Sequence, residues 1–110
     1  MLRFSDVDIH SIPPPALSPY QEFIRSRTLS VGVYRLEAGA RDAQQPHAED
    51  EIYYVLSGRA KFTSGTRTVD VEAGACLFVP SGEPHRFHDI LEPLEALVMF
   101  GPAEGSSPNS

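Results

Sequence analysis

Two short glycine-led segments of the chain carry polar side chains that could bind a metal ion. Gln45, His47 and Glu51 share odd parity in the first segment, and His85 begins an extended stretch in the second. Alternate side chains of a strand point the same way, so a strand or short turn could aim the first three at one centre. Imidazole and carboxylate are natural ligands of Fe, Mn, Ni and Zn. We therefore predict a divalent transition-metal site made of Gln45, His47, Glu51 and His85.

The ligand types also indicate what such a site could do. Two histidines and one carboxylate hold Fe(II) in many non-haem oxygenases and leave positions open for substrate and O₂. Glu51 would offset the charge of the ion, and it could also take up a proton as a catalytic base. Gln45 is the irregular member, because an amide oxygen binds later transition metals more weakly than imidazole does. It could be a weak fourth ligand, a hydrogen-bonding neighbour of the ligands, or a sign of lower affinity.

The elements that must position these residues are strands. From Thr28 onward apolar residues mostly alternate with polar ones, and glycine or proline turns separate the stretches. Short strands, close turns and no long helix indicate an all-β sandwich or barrel, and the repeated glycine-led pattern favours a jelly roll. One stretch, 52–56, is apolar on both parities, which predicts a strand covered on both faces. The predicted strands are 28–36, 52–56, 59–64, 66–71, 76–79, 85–90 and 94–100.

The chain divides into three predicted parts within one domain of 110 residues. Residues 1–27 are predicted to be a proline-rich N-terminal arm, because a proline run lacks backbone donors and favours extended structure. One short helical turn is expected within 19–27. Residues 28–100 are predicted to form the barrel. Residues 101–110 are rich in Gly, Pro, Ser and Asn and are expected to be a flexible C-terminal tail.

Composition excludes some classes of function. The formal net charge is −6 and the pI is near 5.0, so binding of nucleic acid through bulk electrostatics is disfavoured. No apolar run approaches the length of a membrane span, and the N-terminus lacks the apolar stretch of a signal peptide. The single cysteine, Cys76, is flanked by apolar residues and is expected to be a buried, inert thiol. A cytoplasmic location fits these features.

Taken together, the two segments resemble the two motifs of the cupin superfamily. The resemblance extends over 31–100 and implies a small single-domain cupin with a double-stranded β-helix, or jelly-roll, barrel. It also implies that His47, Glu51 and His85 are the metal ligands. Two residues depart from the family pattern: Gln45 replaces the usual first histidine, and Asp89 replaces the usual asparagine. The residues that fall on the motif spacings are Gly39, His47, Glu51, Gly58, Gly74, Pro80, Gly82 and His85.

The resemblance implies a range of functions. One is a metal-dependent enzyme, such as a dioxygenase or an isomerase, acting on a small organic molecule. Another is a non-catalytic cupin that binds a sugar or other metabolite, with or without metal, and the glutamine at position 45 slightly favours this reading. A third role is assembly, because cupins commonly pair through an edge strand. We therefore expect a homodimer that binds a small molecule, and no nucleic-acid or membrane partner.

Overall fold

The structure is a computed structural model that describes residues 1–14, 18–44 and 46–106. One short helix, α1, precedes six strands. Every strand pairing is antiparallel, which confirms the all-β prediction. In the part of the chain described, no helix has the length and apolar character needed to cross a membrane. The elements are α1 (Asp6–His10), β1 (Tyr20–Arg25), β2 (Ser30–Leu36), β3 (Asp50–Ser64), β4 (Arg67–Glu72), β5 (Cys76–Val79) and β6 (His85–Gly101).

Two long strands organise the sheet, whose order is β1-β2-β6-β3-β4, with β5 paired to β3. The first half of β3 lies between β5 and the second half of β6. Its second half lies between β4 and the first half of β6. Sequence analysis predicted two strands in each of these stretches, whereas the structure has one 15-residue strand and one 17-residue strand. Each long strand therefore serves both halves of the barrel.

Gly58 explains why β3 continues through the predicted turn. The register with β6 is irregular between Val55 and Ser57 and again between Ser57 and Arg59. Gly58 has a φ of +98°, and a Cβ there would lie 2.2 Å from the carbonyl oxygen of Pro93. Only glycine fits such a close approach at this φ. Gly58, which indicates a turn in the sequence, instead permits a bulge where the two long strands pair.

The N-terminal region differs from its prediction in two places. Residues 20–25 form β1 rather than a helical turn, because they pair along the edge of β2 and so gain backbone hydrogen bonds. Residues 6–10 form α1 rather than extended arm. The helix begins at Ser5, whose hydroxyl accepts from the amide of Asp8 at 3.2 Å while the Asp8 carboxylate accepts from the Ser5 amide at 2.8 Å. This capping box satisfies two of the free donors at the helix start.

The inner face of the barrel holds both the apolar core and the residues of interest. On β3, Glu51, Tyr53 and Val55 point inward and are buried, while Ile52 and Tyr54 point outward and are 36% and 42% exposed. The predicted two-sided cover of 52–56 is therefore absent from the monomer. Cys76 is also exposed, contrary to expectation. The rest of the core comprises Tyr34, Leu36, Ala60, Phe62, Val71, Val79, Phe87, Ile90, Leu94, Ala96, Val98 and Phe100.

The chain after β6 is held against the barrel. Ala103 is buried, and the amide of Glu104 donates to the Ser30 hydroxyl at 2.8 Å. The amide of Gly105 donates to the Glu49 carboxylate at 3.1 Å. These bonds attach 102–106, the first part of the predicted tail. Residues 107–110 lie outside the described part of the chain.

Candidate metal and ligand site

Two loops bring the predicted ligands into one region. The amide of Gly82, in the loop before β6, donates to the carbonyl oxygen of His47 at 2.7 Å. The amide of Ser81 donates to the Asp50 carboxylate at the start of β3 at 2.9 Å. These bonds tie the second motif to the first, and they leave the rings of His47 and His85 with centroids 6.3 Å apart. The convergence predicted from the two segments is therefore present for these histidines.

Glu51 and His85 form the buried centre of the site. The Nε2 atom of His85 lies 3.0 Å from Oε1 of Glu51, and each side chain is 1% exposed. On its other side, Nδ1 of His85 lies 2.9 Å from the carbonyl oxygen of Glu83. A carbonyl can only accept, so we assign the hydrogen of the neutral ring to Nδ1. This tautomer directs the Nε2 lone pair at Glu51, the arrangement that metal-binding histidines usually have.

The His85–Glu51 contact requires a positive charge. A lone pair on Nε2 would otherwise face a carboxylate oxygen, and two acceptors repel each other. Burial lowers the pKa of His85, but the facing Glu51 carboxylate and the Glu83 carbonyl outweigh burial and raise that pKa above its ordinary value. Neither oxygen of Glu51 has a hydrogen-bond partner of good geometry among the described residues. Either a proton on Nε2 or a cation bound by both groups would supply the missing charge.

The same distance fits a shared metal ion. Two ligand atoms that bind one ion at about 2.1 Å and at right angles lie about 3.0 Å apart. His47 is half-buried beside the pair, with its ring edge-on to Phe100 at a centroid distance of 4.9 Å. Within residues 1–14, 18–44 and 46–106, no group of three or more His, Cys, Asp or Glu side chains is already gathered as a metal site. The donor chemistry fits, and His47 would have to approach the other two.

Gln45, the fourth predicted ligand, lies outside the described residues, so its predicted role is neither confirmed nor contradicted. Two residues close to His85 on β6, His88 and Asp89, can be located. His88 points away from the site and contacts the Thr63 hydroxyl through Nε2 at 2.7 Å and the Asp89 carboxylate through Nδ1 at 2.8 Å. Asp89 has a φ of +48°. Asparagine and aspartate tolerate this left-handed region better than most residues, so replacement of the family's asparagine keeps the backbone geometry.

A chain of hydrogen bonds that the sequence does not reveal leads from the loop before β3 to the site. The Tyr53 hydroxyl donates to Oε1 of Gln44 at 2.8 Å, and Nε2 of Gln44 donates to Asp42 at 2.8 Å. With its hydrogen used by Gln44, the Tyr53 oxygen presents lone pairs toward Nε2 of His85, 3.2 Å away. Gln44 and Asp42 therefore orient a phenol oxygen at the His85–Glu51 pair.

Asp42 is the fixed end of this chain. Its carboxylate is 6% exposed and also accepts from the Phe87 amide at 2.9 Å and from the Tyr34 hydroxyl. Burial first, and then the Asp42 hydrogen bond, raise the pKa of Tyr34. Burial and the Glu51 charge likewise raise the pKa of Tyr53 well above its ordinary value. Both tyrosines therefore remain neutral donors at physiological pH, which keeps the direction of these bonds fixed.

A pocket opens beside the site, with a cavity volume of about 350 Å³. His47, Glu51 and Tyr53 form part of its wall, so a molecule in the pocket would lie next to the predicted ligands. Tyr53 is therefore both a core residue and part of the pocket wall. The remaining lining residues are Ser18, Pro19, Tyr20, Tyr34, Arg41, Ala43, Gln44, Val98, Phe100 and Glu104.

An antiparallel barrel with long shared strands and inward His, Glu and His residues defines the double-stranded β-helix class. The family model described as the Cupin domain matches residues 32–100. The chain therefore belongs to the cupin family, as its two motifs predicted.

Individual relatives support this assignment to different extents. The uncharacterized protein SCO3923 of Streptomyces coelicolor is 51% identical over 85 residues, which cover 77% of this chain and 81% of that protein. The DMSP lyase DddQ of Ruegeria pomeroyi is 32% identical, with a TM-score of 0.65, over 69% of this chain and 39% of the lyase chain. A Klebsiella pneumoniae protein with a double-stranded β-helix domain has a TM-score of 0.76 and is 21% identical, covering 93% and 91% of the two chains. The last likeness bears on the fold alone.

Proposed function

We propose that this cupin binds one divalent transition metal through His47, Glu51 and His85 and acts on a small organic molecule in the adjoining pocket. The observation that carries the proposal is the 3.0 Å approach of His85 Nε2 to Glu51 Oε1, with both side chains buried and either a proton or a cation needed between them. The ligands would be two imidazoles and one carboxylate, a set suited to Fe, Mn, Ni or Zn. Gln45 remains in the proposal as a fourth, weaker ligand.

In this proposal the bound ion would supply Lewis-acid polarisation of a substrate oxygen or, for a redox metal, a place for O₂. The protein's own groups do the rest. Glu51 balances the cation and is the predicted proton acceptor. Tyr53, oriented through Gln44, offers its oxygen beside His85 and fixes how a substrate can approach. The apolar pocket wall excludes water from the reacting groups.

Three reaction classes deserve direct comparison. Dioxygenation and isomerisation come from the ligand set and the family resemblance. Lyase chemistry comes from the 32% identity with the DMSP lyase of Ruegeria pomeroyi, of which this chain matches 39%. Metal-loaded protein should therefore be assayed with DMSP for elimination, with diols, diketones and phenols for oxygen uptake, and with hydroxy-carbonyl compounds for isomerisation. The compound that is turned over would identify the class, and loss of that turnover in Glu51→Gln would tie it to this site.

Metal content tests the proposal directly. Protein purified without chelator or affinity tag should contain close to one equivalent of transition metal, and His47→Ala and His85→Ala should each lose most of it. His88→Ala is the matched control, because His88 lies on the same strand as His85 but contacts Thr63 and Asp89. Wild-type protein that holds no metal, and whose unfolding ignores added ions, would refute the metal site.

A non-catalytic cupin is the alternative function. The observation that favours it is the absence of a gathered three-ligand group among the described residues, which would suit weak or no metal binding. It predicts that a ligand binds with equal affinity to wild-type protein and to His85→Ala. The metalloprotein proposal predicts instead that ligand affinity falls in this variant.

The proposal includes a homodimer. Ile52 on β3 pairs with Phe78 on the edge strand β5, and these outward side chains are 36% and 62% exposed. Tyr54, 42% exposed, extends the same apolar face, and a second copy could cover it. Light scattering should show a dimer that becomes monomeric in Phe78→Lys. Thr66→Lys, on the turn between β3 and β4, is the control and should leave the mass unchanged.

A further inference from the structure

We infer that the pocket selects a small organic carboxylate and that Arg41 binds its carboxylate group at the pocket mouth. The inference deepens the proposed function, since it concerns the same pocket. Arg41 lines the cavity together with His47 and Glu51 and is itself exposed. A guanidinium forms two parallel hydrogen bonds with a carboxylate, so it recognises this group by geometry as well as charge.

Arg41 forms no ion pair among the described residues, whereas Arg25, Arg35, Arg59 and Lys61 all do. The adjacent carboxylate, Asp42, is turned inward, where it accepts three hydrogen bonds.

A second arginine strengthens the field at this rim. Arg41 and Arg86 line one open depression next to the pocket, and both are exposed. Neither forms an ion pair in the described part of the chain. Although the protein as a whole has a net charge of −6 and the buried Asp42 also lines this depression, two exposed arginines against one carboxylate leave the rim locally positive. Such a region concentrates small anions near the opening.

Two acidic residues of the pocket wall, Glu51 and Glu104, oppose this field. The proposed metal ion would offset the charge of Glu51. Arg25 donates to the backbone carbonyl of Glu104 at 2.9 Å, but its charge is already paired with Glu22. Glu104 therefore repels an anion, and the attraction for a carboxylate is left to Arg41 at the mouth.

The cavity limits the rest of the ligand. A volume of about 350 Å³ accommodates on the order of ten non-hydrogen atoms, taking about 30 Å³ for each water-sized group. Val98 and Phe100 supply an apolar wall. A monocarboxylate with a short organic chain matches both this volume and a single guanidinium.

Binding of propionate and butyrate to metal-supplemented protein, with propionamide and butyramide as neutral analogues, tests the inference by NMR titration. Wild-type protein should bind each acid at least tenfold more tightly than its amide. Arg41→Gln should lose that preference, and Arg41→Lys should keep part of it. Arg67→Gln is the matched control: Arg67 is exposed on β4, has no ion pair among the described residues and does not line this pocket.

The outcomes separate the inference from the proposed function. Equal affinities for acid and amide, or no loss in Arg41→Gln, would overturn the inference even if one equivalent of metal is present. If the protein takes up no added metal but still shows an acid preference that depends on Arg41, the preference would support the inference and the missing metal would refute the metal site. An equal loss in Arg67→Gln would also overturn it, since general charge would then explain the preference.

Discussion

Asp42→Asn is the substitution that best tests how the loop before β3 supports the site. The carboxylate accepts three hydrogen bonds while 6% exposed, from Tyr34, Gln44 and Phe87. An asparagine of the same shape retains one acceptor oxygen and replaces the other by a donor. The Tyr34 hydroxyl can rotate to accept from that donor, but the charge is lost from every bond.

The size of the expected destabilisation follows from the number of hydrogen bonds that Asp42 accepts. Hydrogen bonds to a charged group contribute about 1.5–3 kcal/mol and neutral ones about 0.5–1.5 kcal/mol, so the three bonds together lose about 3 kcal/mol. The neutral amide is easier to bury than a carboxylate, which offsets about 1 kcal/mol of this loss of stability. We therefore expect a net destabilisation of about 2 kcal/mol, equivalent to a fall in Tm of roughly 10 °C for a domain of this size.

The assay is thermal and urea unfolding of metal-free protein, with Asp70→Asn as the control. Asp70 undergoes the same chemical change, but its side chain is 85% exposed and its one ion pair among the described residues is with Lys61, at 3.0 Å. Exposed ion pairs contribute about 0.2–1 kcal/mol, so the control should lose little. If the two variants differ by less than about 0.5 kcal/mol, the buried carboxylate does not hold the loop as described.

Three further outcomes are expected. Gly32→Ala should destabilise the protein by about 1–3 kcal/mol in urea unfolding, because the new Cβ would lie 2.3 Å from the ring of Tyr20, and adding Tyr20→Ala should recover part of the loss. In metal-free protein, the raised pKa of His85 stabilises the folded state when the ring is protonated. This contribution to the free energy of unfolding is complete below the ordinary pKa of 6.5 and is lost as the pH rises through the pKa of His85 in the folded protein. His85→Gln should flatten that part of the profile of stability against pH. Gln45→His should raise metal affinity at least tenfold in a competition titration, because imidazole is the stronger ligand, and an unchanged affinity would place position 45 outside the coordination sphere.

Backbone requirements explain why much of the fold could be predicted. The motif positions that the sequence displays most clearly are set by local geometry, such as Gly39, Gly74 and Asp89, all at positive φ. These constraints act within a few residues, so spacing alone carries them. The bounds of β5 were predicted correctly for this reason, since turn residues flank a short apolar run.

The errors in the predicted strands arise where pairing with another strand overrides a signal in the local sequence. Gly58 predicts a turn, but the partner strand β6 continues past it and keeps β3 straight enough to pair. The segment 20–25 has a pattern compatible with helix, and the free edge of β2 makes it a strand. Neither outcome follows from the residues within each segment, because β3 pairs with β6, far along the chain, and β1 pairs with the next strand, from Arg25↔Ser30 to Tyr20↔Tyr34.

The supporting residues of the site are hidden for a related reason. Asp42 and Gln44 occupy positions that the motif leaves unspecified, and a polar residue in a loop usually faces solvent. Their importance depends on which donors meet them after folding, namely the Tyr53 hydroxyl and the Phe87 amide. A buried acceptor acquires its role from these partners, so its type alone does not reveal it.

The requirement for a positive charge between His85 and Glu51 has a consequence for folding. A proton on Nε2 satisfies the pair in metal-free protein, so we expect the barrel to fold without metal. Its stability would come from the apolar inner face, and metal binding would add only the free energy set by concentration and affinity. In the proposed site protons and metal would compete for one position, and acid should release the metal before it unfolds the barrel. This order would separate the site from structural metal centres, in which loss of the ion and loss of the fold coincide.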